Sequence, residues 1–336
     1  MIHCTVTLIT YNQEDYIRDA VESILQQECA PLEIIISDDA STDRTFDIIN
    51  ECTQNYCGKH RLIINRNEKN MGLSGHLNKV IEMSTGEWFI MAGGDDISLP
   101  NRCAQIIKAI KQHPEASGIV SDMEIIDAHN NHIRQECGWN INLKKYSSSL
   151  PWYRQFGKTC FIVPTGAASA WKKDLYTFAP LPSNRPCSED ILLTVRCHFL
   201  HRKIVHLPQV LVKWRHHGKN QSELASSDNM TRYEEELIRI NKFRKSTLET
   251  VREDLMQLGL KTAPNSRKIN SYLSLLIRQC DQLIRWWELP FYRRLFWVME
   301  SPRTWGFDVT VRIWHRLMSR EKYLLFKKGK KRYSRF

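Results

Sequence analysis

The sequence predicts an α/β fold, with a central, mostly parallel sheet flanked by helices and a helical C-terminal extension. Three observations lead there. Short β-rich apolar runs alternate with helix-periodic segments over the first part of the chain, which is the rhythm of βαβ units. One run, Glu33-Ile-Ile-Ile, is continuously apolar, as strands covered on both faces of a parallel sheet are. Polar clusters recur where the runs end, at the carboxyl edge where open sheets of this kind bind ligands.

Each element has its own signal. His3–Thr10 is the first strand. Asp15–Gln27 has helical spacing, with Ile17, Ala20, Val21, Ile24 and Leu25 on one face. Leu32–Ser37 is the second strand, and Ser41 or Thr42 can cap a helix from Asp43 to Cys52. Arg61–Asn65 is the third strand, Ser74–Met83 a helix stopped by Gly86, and Glu87–Ala92 the fourth strand. Asn101–Gln112 is a helix ended by His113-Pro114, and Gly118–Ser121 is a fifth strand. From Asp122 to about Ser149 the chain reads as polar strand and loop, and Pro164–Ala170 as small and flexible. Ser188–Leu200 opens a helix with Ser-Glu-Asp, and Lys203–Trp214 is a strand interrupted at Pro208. Met230–Phe243, Ser246–Leu258 and Ile269–Glu288 read as three helices.

Composition narrows the class. The 336 residues are 42% hydrophobic and 25% charged, ordinary for a soluble globular protein. Ten cysteines stand singly, with no zinc-finger spacing, which favours free thiols in a reduced cytoplasmic setting. No signal peptide is expected ahead of the first strand, and no apolar stretch reaches membrane-spanning length. The net charge of +11 is uneven: residues 281–336 hold 14 Lys and Arg against 5 Asp and Glu, with five of the ten tryptophans. That asymmetry suggests a charged partner surface.

The chemistry concentrates at Gly93-Gly94-Asp95-Asp96, where a buried-looking strand ends. Adjacent carboxylates disfavour each other's ionised form. A hard divalent cation such as Mg²⁺ or Mn²⁺ removes that penalty and bridges phosphate oxygens. Alone, the motif is also an ordinary turn. Three further polar clusters on the same edge argue for a metal–nucleotide site: Tyr11-Asn12, Asp38-Asp39 and Asn67–Ser74.

These residues resemble a family. Thr7-Leu-Ile-Thr-Tyr-Asn12, Ser23-Ile-Leu-Gln-Gln27 and Glu33-Ile-Ile-Ile-Ser-Asp-Asp-Ala-Ser-Thr-Asp43 look like the start of a family 2 glycosyltransferase. Asn70-Met-Gly-Leu-Ser74, Asn78 and Gly86-Glu87 before Asp95-Asp96 continue the pattern in order. It is specific over residues 3–104 and patchier to about 222, where Glu189-Asp190 and Trp214-Arg-His-His217 match later motifs. The resemblance implies the GT-A nucleotide-sugar fold, inversion at the anomeric carbon, a divalent metal, and surface-polysaccharide or lipopolysaccharide synthesis. The implied division is a catalytic domain over 1–225, with a nucleotide half (1–121) and an acceptor half (122–225), ahead of a helical, basic region (226–336).

Carried over residue by residue, the resemblance gives Asp39 the imide N–H of uracil, with Asp38 beside it; a helix-capping role before Ser41 is the alternative. Thr10 and Tyr11 would hold the base, Tyr11 by stacking, unless it is a core aromatic. Asn70 and Gly72 would approach the nucleotide, or form an ordinary loop. Asp95 falls at the metal-binding carboxylate, which also touches the nucleotide, with Asp96 in support. Many relatives carry an Asp where this chain has Gly93, which leaves open how the donor sugar is held. Asp190 is the candidate base: an inverting transfer is one displacement, so a carboxylate must take the acceptor hydroxyl's proton. The metal replaces a hydrolase's acid at the leaving group. Alternatively, Glu189 and Asp190 simply favour a helix N-terminus. His217 would ligate the metal, and Arg215 and Glu189 would contact the diphosphate, donor or acceptor; an exposed basic cluster is the bland reading of Arg215–His217.

The basic, Trp-rich residues 285–336 suit the surface of an anionic bilayer, where each Lys or Arg contributes about 1 kcal/mol. Burial against the catalytic domain or a solvated end are the alternatives. The expectation is a peripheral protein at the inner face of the membrane, moving sugar from a UDP-sugar to a glycan or lipid-linked acceptor. No nucleic-acid module accompanies the charge. The rivals are a nucleotidyltransferase, which would show a Gly-rich phosphate loop near strand one, and a degenerate member that binds without turnover. A dinucleotide-dependent reductase lacks its Gly-x-Gly-x-x-Gly.

Overall fold

The computed structural model describes residues 3–138, 165–217, 230–257, 266–285 and 288–289. They fall into two compact units, one built from 3–138 with 165–217 and the other from the residues after 230.

In the first unit, strands β1 (Cys4–Thr10), β2 (Glu33–Asp38), β3 (Arg61–Arg66) and β4 (Trp88–Gly93) alternate with helices α1 (Ile17–Leu25), α2 (Thr45–Thr53) and α3 (Gly72–Met83). Next come β5 (Ile97–Ser98), α4 (Arg102–Gln112), β6 (Ala116–Asp127) and β7 (His132–Glu136). A 3-10 turn (Gly166–Ala168), β8 (Ser169–Lys172), α5 (Asp174–Thr177), α6 (Glu189–Phe199) and β9 (Lys203–His216) complete it. The nine strands among the described residues form one sheet, ordered β3-β2-β1-β4-β8-β6-β9-β5, with β7 on β6. The run β3-β2-β1-β4 is parallel. β8 is antiparallel to both β4 and β6. β6 and β9 are again parallel to each other. The long strands other than β7 therefore point one way, and their carboxyl ends share an edge.

The patterning explains the packing. All six residues of β2 are buried. α1 turns Ile17, Ala20, Val21 and Ile24 inward, the stripe a period of 3.6 produces. Burying each such Val or Ile is worth roughly 1.5–3 kcal/mol. α1, α2 and α4 join β1, β2, β4 and β6 in one apolar cluster, so the ends of these strands rest on a stiff core.

Several local expectations need correction. Ser41 and Thr42 do not cap α2. Arg44 is the N-cap, without a side-chain bond, and Ser41 instead donates its N–H (3.0 Å) and its hydroxyl to Asp38. The stretch after Asp122 continues β6 to Asp127 and returns as β7. Ser169 and Ala170, expected in a flexible stretch, lie in β8, wedged between β4 and β6. β9 runs through Pro208, but its pairing with β6 shifts there, from Ser121↔Leu207 to Asp122↔Val210, because proline has no N–H for the ladder.

In the second unit, the two helices expected over 230–258 are one, α7 (Met230–Gln257), followed by α8 (Ser266–Ile284). The segment around Ser246 has no Gly or Pro to break it. Thr247 and Thr250 return their hydroxyls to the carbonyls of Phe243 and Ser246. Lys245 pairs with Asp281 across the two helices at 2.6 Å. Among the described residues, no helix is long and apolar enough to cross a membrane. The basic stretch 285–336 lies outside the described residues except for 285, 288 and 289.

Candidate active site

The ends of β1 and β2 build one wall. Tyr11 is 44% exposed, which removes the core-aromatic reading and leaves a ring face open. Thr10 donates its hydroxyl to Gln13 Oε1 at 2.7 Å, fixing the turn beneath it. Asp38 is fully buried and engaged internally: besides Ser41, it pairs with Arg66 Nε at 3.5 Å. Asp39 differs. Its Oδ1 accepts from Asn67 Nδ2 at 2.8 Å and the Met71 N–H at 2.9 Å. Its Oδ2 makes no hydrogen bond among the described residues. These bonds run to the segment before α3 rather than to α2, so Asp39 is no helix cap. Asn70 Oδ1 accepts the Gly72 N–H at 3.0 Å, and Gly72 enters α3 with φ +68°.

The end of β4 meets the end of β9. Short β5 pairs with β9 (Ile97↔Lys213), which brings residues 215–217 beside Asp95 and Asp96. His217 Nε2 lies 3.0 Å from Asp95 Oδ2. Asp96 Oδ1 accepts the Arg215 N–H at 3.0 Å. Burial, then the neighbouring Asp95 charge, push the Asp96 carboxyl well above the usual range. Arg215 is buried: its Nε donates to the Asp95 carbonyl at 2.8 Å, Nη2 to Asp19 at 3.0 Å, and Nη1 to Asn130. Tyr16 is shared by both partners, stacked with His217 (centroids 4.8 Å) and beneath the Arg215 guanidinium (4.9 Å). Arg215 and His217 are thus built into the site rather than forming an exposed basic cluster; His216 alone of the three is exposed. In this arrangement the Arg215 guanidinium braces the Asp95 turn.

Gly93 explains the space between the carboxylates. A Cβ placed there would sit 2.9 Å from both Asp95 Oδ1 and Asp96 Oδ2. Two acidic oxygens therefore face one small volume that a side chain would fill. With His217 nearby, the donor set is oxygen-rich with one imidazole, which suits Mn²⁺ and tolerates Mg²⁺.

The third element is the start of α6. Ser188 caps it, accepting the Ile191 N–H at 3.5 Å. Asp190 Oδ2 accepts the Gly166 N–H at 3.1 Å, while its Oδ1 is buried and, among the described residues, meets no hydrogen-bond donor; a proton shared with the Glu189 carboxyl would satisfy it. Burial, then the charge of Glu189, raise the Asp190 carboxyl well above its usual range. Burial also raises Glu189. A Cβ on Gly166 would come 2.9 Å from Asp190 Oδ1 and 3.1 Å from Glu189 Oε1. A buried carboxylate whose pKa is held up in this way, beside a bare glycine, is once ionised a stronger base toward a hydroxyl brought to it.

Sequence reasoning missed Arg102 and Gly166. Arg102 is 1% exposed and opens α4. Its Nη2 donates to the carbonyls of Met91 and Ala167, both at 2.6 Å, and Nη1 to Ser98 Oγ at 2.9 Å. Burial depresses its pKa to about 10. One guanidinium thus ties the strand ahead of Asp95 to the turn that supports Asp190. An arginine at a helix start carries no sequence signal for burial. The run Gly166-Ala-Ala-Ser-Ala did show small residues, but not what approaches them.

Comparison with known proteins bears on the family and the fold. Residues 5–168 match the family described as Glycosyl transferase family 2. The chain is 33% identical over 124 residues to an uncharacterized protein of Mycobacterium tuberculosis (36% of this chain, 35% of that protein). It is 31% identical over 123 residues to the putative glycosyltransferase EpsE of Bacillus subtilis (37% and 44%). It is 27% identical over 224 residues to an uncharacterized glycosyltransferase of Nostoc (66% and 67%). The match thus spans about a third of the length of the mycobacterial relative. In structure, it resembles TarS 1-349 of S. aureus in complex with UDP-GlcNAc (TM-score 0.52, 16% identity, 98% of this chain, 92% of that one). It also resembles the mannosyltransferase PcManGT of Pyrobaculum calidifontis in complex with GDP-Man and Mn²⁺ (0.53, 15%, 84% and 73%). The sheet flanked by helices is the GT-A fold of these neighbours. The family match, the glycosyltransferase relatives and the shared fold together support a family 2 glycosyltransferase.

Proposed function

We propose that the protein is an inverting glycosyltransferase that moves a sugar from a UDP-sugar to a hydroxyl of a polysaccharide or lipid-linked glycan. The observation that supports this best is the meeting of Asp95 and His217, 122 positions apart in sequence, at 3.0 Å on the carboxyl edge of the sheet. Asp39 Oδ2 is left to accept the uracil imide N–H, with Tyr11 stacking on the base and Thr10, Asp38, Asn70 and Gly72 shaping that wall. Asp95 and His217, supported by Asp96, would hold Mg²⁺ or Mn²⁺, which when bound supplies positive charge for the departing diphosphate. Asp190 takes the acceptor's proton as its oxygen bonds to the anomeric carbon and the bond to the diphosphate breaks. The raised affinity of Asp190 for a proton matches that task. Glu189 keeps it raised, and Arg215 holds the Asp95 turn. Gly93, by lacking a side chain, keeps the volume between the two carboxylates open for the ion.

The basic, Trp-rich residues 285–336 would bring this site to a lipid-linked acceptor at the inner face of an anionic membrane. The test is UDP release from a panel of UDP-sugars, with and without Mn²⁺, for wild type, Asp95→Ala and Asp190→Ala. Donor-selective release that needs the metal and both carboxylates supports the reading. Nucleotide binding without release, even with crude lipid acceptor present, would mean a binding module instead.

A further inference from the structure

Asp122, Cys137 and His206 form a cluster that the proposed transfer does not use. One ligand atom from each lies within 4.8 Å of the others. His206 Nε2 is 2.7 Å from Asp122 Oδ1 and 3.4 Å from Cys137 Sγ. All three side chains are partly exposed, so an ion has access.

The sheet creates this meeting. β7 pairs antiparallel with β6 at Met123↔Glu136, so the next step in register sets Cys137 opposite Asp122. On the other side, β9 places His206 opposite Val120, two residues before Asp122 and on the same face. The pairing shift beside Pro208 begins at Asp122, and such irregularities re-aim side chains. Gly138 lets β7 come in close, since a Cβ there would lie 1.7 Å from the Ser121 carbonyl oxygen.

A catalytic Cys–His relay is the wrong explanation. A relay uses the two ring nitrogens separately, one for the acid and one for the thiol. Here a single nitrogen, Nε2, faces both. Sulfur, nitrogen and oxygen instead converge on one point, as ligands do. A tetrahedral zinc ion with ligands at about 2.0–2.3 Å holds them roughly 3.3–3.6 Å apart. The sulfur–nitrogen separation already fits; the carboxylate must withdraw from the ring nitrogen by about half an ångström, and it lies within 4.8 Å of the sulfur. One thiolate, one imidazole and one carboxylate suit a borderline ion such as Zn²⁺ rather than Mg²⁺.

We propose that Asp122, Cys137 and His206 bind a transition-metal ion of the Zn²⁺ class, at a site separate from the Asp95–His217 pair. The ion would pin β6, β7 and β9 together next to the turn that supports Asp190. That turn is tied to the cluster by the Thr165 N–H donating to the Gly138 carbonyl at 2.8 Å and the Ser121 hydroxyl donating to the Ala168 carbonyl at 3.3 Å.

The test uses metal-free, reduced full-length protein titrated with Co²⁺. The site predicts one equivalent showing a thiolate-to-cobalt charge-transfer band, displaced by Zn²⁺. The Asp95–His217 pair has no thiolate and cannot give this band, so it should persist in Asp95→Ala and in Cys57→Ser. It should vanish in Cys137→Ser, and affinity should fall about a hundredfold or more in His206→Gln and Asp122→Asn, at least the largest effect of removing a mere supporting residue. Matching unfolding transitions of the metal-free variants would show that they fold. No band in the wild type, a band surviving Cys137→Ser, or a band lost in Asp95→Ala would overturn the proposal.

Discussion

Replacing Asp190 with Asn should make the protein inactive and more stable at once. Asp190 Oδ2 accepts the Gly166 N–H at 3.1 Å, a bond an amide oxygen keeps. Its Oδ1 is buried and, among the described residues, faces no donor while ionised, and Glu189 Oε1 flanks the same glycine. An amide nitrogen at Oδ1 would face that carboxylate and could donate to it. An unsatisfied buried polar atom costs about 1–3 kcal/mol; removing the penalty should raise Tm by roughly 2–10 °C for a domain of this size. The effect should depend on pH. Because the folded-state pKa of Asp190 is raised, the wild type has its full stability below the ordinary carboxylate pKa of the unfolded chain and loses it as pH rises from there through the folded-state pKa. The variant's advantage should therefore be small in acid and grow toward neutral and alkaline pH. Turnover should fall about 10²–10⁴-fold, the usual worth of a general base, or roughly 3–5 kcal/mol of barrier. Scanning melts across pH and UDP release under saturating donor measure both. Activity within threefold of wild type, or a Tm difference that is flat with pH, would refute the reasoning.

Three further outcomes follow from the same geometry. Gly93→Ala should weaken Mn²⁺ binding by tenfold or more, since its methyl would sit 2.9 Å from an oxygen of each acid; a metal titration followed by nucleotide release checks it. Arg102→Met should destabilise the first unit by about 1–3 kcal/mol, because the carbonyls of Met91 and Ala167 and the Ser98 hydroxyl lose their donor; urea unfolding reads this directly, and no measurable loss would deny Arg102 its bracing role. Asp39→Asn should reduce UDP affinity more than it alters melting, as the amide oxygen can still accept from Asn67 and Met71 while the amide nitrogen no longer accepts the imide N–H; calorimetry with UDP against melting temperature separates the two.

The parallel run β1 to β4 was legible because each strand is a local apolar run bounded by a local helix. Asp38, Asp39, Asp95 and Asp96 were legible as strand-end carboxylates for the same reason. β5 and β8 were not, since two to four residues carry no period of their own and exist only through pairing with distant β9, β4 and β6. Arg215 looked like a phosphate ligand because a sequence displays its charge but not its partners, and Asp19 and Asn130 are far away in the chain. The Asp122–Cys137–His206 cluster was invisible for a related reason. Its members lie 15 and 69 positions apart, and only the strand register brings them together.

The Arg102 strut has a consequence for recombining this protein with its relatives. Two of the three atoms it grips are main-chain carbonyls, of Met91 and Ala167, and every amino acid supplies one. A chimera that keeps Arg102 can therefore accept a foreign segment on either side without matching side chains at those contacts, provided the backbone path is the same. A crossover that discards Arg102 would remove this tie between the two halves of the site, even if every acidic residue in both were retained.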